Sequence, residues 1–171
     1  MGKTKLDGIE VNTAGELPLP GSMAPDFTLI GSDLSETSLD DFKGTKLILN
    51  IFPSIETNVC ARSLSEFNRR IKGMKDVKVL CISRDLPFAH HRFCSSGGLD
   101  QVITLSNFRD GDNFALKYGV LLKDGPFKGL NARAIVTTNE LGRVIYSQLV
   151  DDIGHEPDYD TAIASVSPDS R

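Results

Sequence analysis

Residues 46–73 read KLILNIFPSIETNVCARSLSEFNRRIKG. Their apolar residues follow the pattern of a strand before Pro53 and the pattern of a helix after it. The run from Lys46 to Phe52 is apolar almost throughout and lies between Gly44 and Pro53, which is typical of a strand buried on both faces. Beyond the proline, apolar side chains recur at the spacing of one helical stripe. They are Cys60, Leu64, Phe67 and Ile71. This strand–loop–helix unit predicts an α/β fold.

The rest of the chain repeats these two patterns. Apolar residues alternate around Asp7 and Gly8 in residues 4–13, which predicts a hairpin. Further strands are predicted at 77–83, 101–106, 131–138 and 142–150, and further helices at 86–94, 110–119 and 156–166, with Pro157 in the first turn of the last helix. Residues 34–44 are predicted to form a polar turn, and residues 167–171 a frayed tail. We expect a single domain over residues 1–171, with a mixed central sheet flanked by helices and an N-terminal β-hairpin.

Composition and charge exclude several classes of protein. The chain has 171 residues, of which 40% are hydrophobic and 25% charged, as in an ordinary globular domain. A net charge of −4 argues against a surface that binds nucleic acid. No apolar run approaches the roughly 20 residues of a membrane span, and the first residues lack the apolar segment of a secretory signal. We therefore expect a cytoplasmic protein.

The three cysteines are Cys60, Cys81 and Cys94. An odd number in a reducing compartment argues against a structural disulfide framework and leaves reactive or buried thiols. The spacings contain no CxxC motif, and His90 and His91 near Cys94 do not complete the ligand set of a zinc site. We therefore expect no metal.

Cys60 lies where a thiol can become reactive. The first turn of a helix carries unpaired backbone N–H groups and the positive end of the helix dipole, and both favour a thiolate. The loop after Pro53 should project from the carboxyl edge of the sheet, where α/β proteins bind ligands. Thr57 precedes Cys60 by three residues, so its hydroxyl can face the sulfur. The residues alone leave a second possibility open, because Cys60 shares an apolar stripe and a free cysteine is often a small core residue.

The motif Pro53-x-x-x-Thr57-x-x-Cys60 resembles the active-site pattern of the peroxiredoxins. The longer segment LNIFPSIETNVCARS, residues 49–63, is similar to the thiol peroxidase subfamily in particular. Four more segments resemble that subfamily in the same order, at residues 79–94, 101–109, 124–136 and 147–159. The resemblance covers nearly the whole chain.

The resemblance implies a role for each matched residue. Cys60 matches the peroxidatic cysteine, whose thiolate attacks a peroxide oxygen and becomes a sulfenic acid. Thr57 matches the threonine that contacts thiolate and substrate, and Pro53 the proline that shields the cysteine from water. Arg133 matches the arginine that stabilises the thiolate and polarises the peroxide. Cys94 matches the resolving cysteine, which forms an intramolecular disulfide with Cys60.

The same resemblance implies a thioredoxin-like fold and a reaction with hydrogen peroxide and organic hydroperoxides. It implies thioredoxin as the reductant, a homodimer formed through loops on the active-site side, and no metal, haem or flavin. Cys81, inside an apolar strand, is expected to be a core residue. The remaining basic groups near the motif are expected to be solvated surface residues: His90, His91, Arg84, Arg62 and Arg109.

Three other functions share the fold. A thioredoxin-type disulfide reductase needs CxxC, whereas Cys60 is followed by Ala61, Arg62 and Ser63. A binding or chaperone module on this scaffold needs no reactive thiol. A peroxide sensor that passes its disulfide to a partner protein uses the same residues as the peroxidase, and turnover with a reductant distinguishes the two.

Overall fold

A computed structural model of the chain describes residues 2–168. The strands are β1 (Lys3–Leu6), β2 (Ile9–Ala14), β3 (Thr28–Gly31), β4 (Glu36–Ser38), β5 (Lys46–Ile51), β6 (Val77–Ser83), β7 (Val102–Ser106), β8 (Leu121–Leu122), β9 (Ala134–Thr138) and β10 (Val144–Leu149). The α-helices are α1 (Asn58–Arg70), α2 (Pro87–Gly97), α3 (Asn113–Lys117) and α4 (Tyr159–Val166). The frayed tail predicted at residues 167–171 lies mostly outside the described residues.

The central sheet is mixed, as the sequence predicts. Its seven strands lie in the order β10-β9-β5-β6-β7-β3-β4. The pairs β5–β6 and β6–β7 are parallel, and the other pairs are antiparallel. Because β5, β6 and β7 run parallel, their carboxyl ends meet at one edge of the sheet. The loops that follow β5 and β6 therefore lie side by side.

The two faces of the sheet pack into separate apolar cores. Leu47, Leu49 and Ile51 of β5 point to one face, where they join Phe114 and Tyr118 from α3 and its C-terminus. On the other face, the predicted stripe of α1 packs with residues of α4 and with alternate residues of β5 and β6. The prediction that β5 is buried on both faces is confirmed.

The N-terminal hairpin is also confirmed. β1 and β2 pair antiparallel, with Leu6 opposite Ile9 at the turn. Asp7 and Gly8 both adopt positive φ, at 53° and 83°. Such a turn matches the twist of the flanking strands, and glycine and aspartate tolerate it best. β8 joins the hairpin to make a second, three-stranded sheet.

Two short strands and two helix starts differ from the predictions, since α3 and α4 each begin three residues later than predicted. β4 lies within residues 34–44, which were predicted to be a turn, and a 3₁₀ helix at Leu39–Phe42 follows it. β4 and β8 have only three and two residues, too few to show an alternating pattern. The last helix begins later than predicted, because Asp158 caps it by accepting a hydrogen bond from Thr161 N. Within residues 2–168 no helix is long and apolar enough to span a membrane.

Candidate active site

The candidate site lies where β5 ends and α1 begins. Pro53 is buried directly after the strand, and the loop turns until Thr57 becomes the N-cap of α1. The Thr57 hydroxyl accepts a hydrogen bond from the backbone N–H of Cys60 at 3.3 Å. It also donates to the carbonyl of Ser54 at 3.2 Å. This capping holds the first turn of α1 in place and sets Cys60 at the positive end of the helix dipole.

Arg133 completes the surroundings of the Cys60 sulfur. Its Nη2 donates to Cys60 Sγ at 3.1 Å, and its Nε donates to the carbonyl of Ile153 at 2.8 Å. Arg133 is only 1% exposed and Cys60 is 0% exposed. A buried guanidinium is costly unless an anion balances it, so this arrangement favours a thiolate at Cys60. Arg133 Nη1 has no hydrogen-bond partner among residues 2–168, which leaves a donor free for a bound oxygen.

A small cavity adjoins these groups. Thr57 and Arg133, which both contact Cys60, line a space of about 190 Å³. The apolar side chains of Val59, Phe127 and Ile153 contribute to its wall. The space can hold a small molecule with one polar end near Arg133 and an apolar end. Phe127 belongs to a loop far from Cys60 in sequence, and its place in this wall could not be read from spacing.

Cys94 lies apart from this cluster. It is on α2, where it is partly buried against the same core as Cys81, and all three thiols are free. Burial raises the pKa of the Cys94 thiol, and a hydrogen bond with the Thr104 side chain lowers this pKa by a smaller amount. The structure thus brings Thr57, Cys60 and Arg133 together and leaves Cys94 on a separate helix.

Three arginines that the sequence places near the motif have different surroundings in the structure. Arg62 and Arg109 were expected to be surface residues. Arg62 faces Glu156 at 3.7 Å, and Arg109 is exposed. Arg84 was wrongly expected to be solvated, because its Nη1 donates to the carboxylate of Asp112 at 2.7 Å and to a backbone carbonyl.

The expectation that both histidines of α2 face solvent is half wrong. His91 is exposed, but His90 is 0% exposed and contacts the hydroxyl of Ser83. The sequence reasoning also missed Asp85, whose carboxylate binds the loop before Cys60. A signal was available, because Ser83 and Asp85 stand at the carboxyl end of β6, beside the loop that follows β5.

Replacing Thr57 by Val removes the hydroxyl but keeps the shape of the side chain, so it tests the role of the hydroxyl alone. The variant loses the cap of α1, worth about 1 kcal/mol, and the group that orients Cys60. We expect the rate at which Cys60 reacts with one equivalent of hydrogen peroxide, followed by rapid quench, to fall about 10- to 100-fold. Thr57→Ser keeps the hydroxyl and should retain most of the rate. A Thr57→Val variant as fast as wild type contradicts this role.

Cys81 should be inert in the folded protein. Its side chain is fully buried, and burial raises its pKa far above the usual range for a thiol. Since only the thiolate reacts with iodoacetamide, a raised pKa lowers the reactive fraction at pH 8. We expect Cys81 to be alkylated at least about 100-fold more slowly than a free cysteine, as measured by peptide mass. Unfolding in guanidinium chloride should expose all three thiols, and rapid labelling of folded Cys81 argues against this burial.

Comparisons with known proteins agree with the geometry. The family model described as Redoxin matches residues 19–163. The thiol peroxidase of Corynebacterium glutamicum is 47% identical over 98% of this chain and 100% of its own length. That of Mycobacterium tuberculosis is 48% identical over 97% of this chain and 99% of its own length. The crystal structure of a peroxiredoxin-like protein from Aquifex aeolicus superposes with a TM-score of 0.90 at 36% identity, over 96% of this chain and 95% of that one. The chain therefore belongs to the redoxin family and, within it, to the thiol peroxidases.

Proposed function

We propose that this thiol peroxidase reduces hydrogen peroxide and organic hydroperoxides at Cys60. The observation that carries the proposal is the contact of Arg133 Nη2 with Cys60 Sγ, 3.1 Å apart, at the capped start of α1. A cation and a helix N-terminus directed at one buried sulfur favour the nucleophilic form of a thiol. Pro53 is buried behind the loop, where it keeps water from the sulfur.

In the first half of the reaction, the Cys60 thiolate attacks the nearer peroxide oxygen. The S–O bond forms as the O–O bond breaks, and the departing oxygen leaves as water or an alcohol after taking up a proton. Cys60 is oxidised to the sulfenic acid and the peroxide is reduced. Arg133 lines the cavity and its Nη1 has no partner among the described residues, so we propose that this group stabilises the negative charge on the departing oxygen.

In the second half, the Cys94 thiol attacks the Cys60 sulfenic acid. An S–S bond forms, the S–O bond breaks and water leaves. The two cysteines occupy different helices, and we propose that the part of α2 around Cys94 unfolds locally before the sulfurs meet. Gly98 ends α2 in the left-handed conformation, and Gly98 N and Leu99 N both donate to the Cys94 carbonyl, so these two bonds break when Cys94 is released. Leaving the core also removes the burial that raises the pKa of Cys94.

The partners and setting follow from this chemistry. The Cys60–Cys94 disulfide needs a dithiol to return both cysteines to thiols, and we propose thioredoxin, in the cytoplasm, as the donor. We also propose a homodimer, formed on the side where Phe127 of the 124–130 loop and Thr57 line one cavity. We propose that the chain is one domain that binds neither nucleic acid nor membrane.

Steady-state turnover tests the function against the sensor alternative. Purified protein is mixed with thioredoxin, its reductase and NADPH, and NADPH oxidation is followed after adding hydrogen peroxide or tert-butyl hydroperoxide. We expect many equivalents of peroxide to be consumed per protein, with both peroxides as substrates. Consumption that stops after one equivalent, while the disulfide resists thioredoxin, supports the sensor and contradicts the peroxidase.

A further inference from the structure

Asp85 ties the loop before Cys60 to the end of β6. Its Oδ1 accepts a hydrogen bond from the Ser54 hydroxyl and its Oδ2 accepts one from Ile55 N, both at 2.7 Å. The same Oδ2 accepts from the Ser83 hydroxyl. Hydrogen bonds to a carboxylate are stronger than those between neutral groups. Asp85 is therefore an anchor for the segment that leads into α1.

Ser83 extends this anchor to α2. Its only hydroxyl proton goes to Asp85, so Ser83 Oγ must accept the hydrogen bond that it shares with His90 Nε2 at 2.7 Å. His90 is therefore protonated at Nε2. His90 Nδ1 has no partner among residues 2–168. Burial lowers the pKa of His90 by more than the nearby charge of Asp85 raises it, which agrees with a neutral ring.

A continuous hydrogen-bonded path thus joins the two reactive helices. At one end, the Ser54 carbonyl accepts from the Thr57 hydroxyl, which in turn accepts from Cys60 N. At the other end, His90 lies four residues before Cys94 on α2, so the two side chains share one face of that helix.

We propose that His90 is a positioning residue, which clasps α2 to the Cys60 loop through Ser83 and Asp85 and slows the release of Cys94. This inference rests on the proposed resolving role of Cys94. Because His90 lies one turn before Cys94, local unfolding of α2 that includes this turn breaks the bond between His90 and Ser83, so the clasp slows formation of the disulfide. The His90 side chain does not line the cavity at Arg133, so its loss leaves the oxidation of Cys60 unchanged. The clasp therefore lengthens the lifetime of the Cys60 sulfenic acid.

Rapid-quench mass spectrometry separates the two steps. Reduced protein receives one equivalent of hydrogen peroxide, and quenched samples are resolved into thiol, sulfenic acid and disulfide. We expect His90→Leu and Ser83→Ala to convert sulfenic acid to disulfide about fivefold faster than wild type, the factor for losing one net hydrogen bond. Loss of the thiol should stay within about twofold in His90→Leu, because that variant keeps the hydrogen bonds from Asp85 to Ser54 and Ile55. His90→Gln offers an amide donor in place of Nε2–H and should restore the wild-type rate, and His91→Leu, at the exposed neighbour, is the matched control.

Hydrogen exchange provides a readout independent of the chemistry. In the reduced state, amides of α2 should exchange faster in His90→Leu and Ser83→Ala but not in His91→Leu. If His90→Leu does not fold, Ser83→Ala carries the same expectation. Normal disulfide formation in every variant at the wild-type rate, with unchanged exchange, overturns the clasp alone. A wild-type protein that never links Cys60 to Cys94 overturns the resolving role itself, and the clasp with it.

Discussion

Cys60→Ser should lose peroxidase activity by at least about 1,000-fold, because removal of a nucleophile leaves only the surrounding machinery. A serine hydroxyl stays protonated at neutral pH and forms no sulfenic acid. The change is nearly isosteric, and the residue is buried between α1 and the sheet, so the fold should persist. Peroxide consumption with dithiothreitol as reductant measures the effect without requiring thioredoxin.

The matched control for Cys60→Ser is Cys81→Ala. It also removes one buried thiol from the same core, but its sulfur accepts a hydrogen bond from Asn50 Nδ2, at 3.7 Å, and not from Thr57 or Arg133, the two residues that contact Cys60. We expect it to keep activity within about twofold, at a loss of about 1 kcal/mol in the free energy of unfolding from the small cavity. Equal losses of activity in the two variants would mean that the thiol at residue 60 acts only through packing.

Arg133→Met should lower the rate of Cys60 oxidation about 100- to 1,000-fold, as expected when a buried donor at the site of developing charge is removed. Stability should fall as well. Arg133 is 1% exposed, and its replacement leaves the carbonyl of Ile153 without its donor, so the free energy of unfolding should fall by about 1 to 3 kcal/mol. Stopped-flow oxidation and urea unfolding measure the two quantities on the same preparations.

Arg133→Lys tests whether a positive charge at residue 133 is enough for the reaction, or whether the two hydrogen bonds of the guanidinium are also needed. Lysine keeps the positive charge but cannot hold Ile153 O through one nitrogen and Cys60 Sγ through another, as arginine does. We expect it to recover only part of the rate lost in Arg133→Met. Wild-type rates in Arg133→Met would show that the helix terminus alone activates the thiol.

The fold could be predicted because its signals are local, and the same segment places Cys60 in the first turn of a helix. The apolar run of β5, the proline after it and the stripe of α1 occupy one short segment, and Thr57 lies one turn before Cys60. Arg133 could not be placed by spacing, since 73 positions separate it from Cys60, and it was found only through a family motif. Phe127 was found only in three dimensions for the same reason.

His90 shows what a pattern of single residues cannot reveal. Two adjacent histidines on a helix look alike in sequence, although one faces solvent and the other is buried. Which one is buried depends on the angle at which α2 packs on the sheet and on a hydroxyl from β6. β4 and β8 were missed for another reason, because strands of three and two residues are held by their partners rather than by their own pattern.

Disulfide mapping after one equivalent of hydroperoxide, on wild type and Cys94→Ser, is the sharpest test of the proposed mechanism. We expect wild type to lose two hydrogens in mass and to link Cys60 to Cys94. We expect Cys94→Ser to stop at the Cys60 sulfenic acid, which a dimedone probe traps. A bond through Cys81, or peroxide consumption that leaves Cys60 unmodified, contradicts the mechanism and makes Cys60 a core residue.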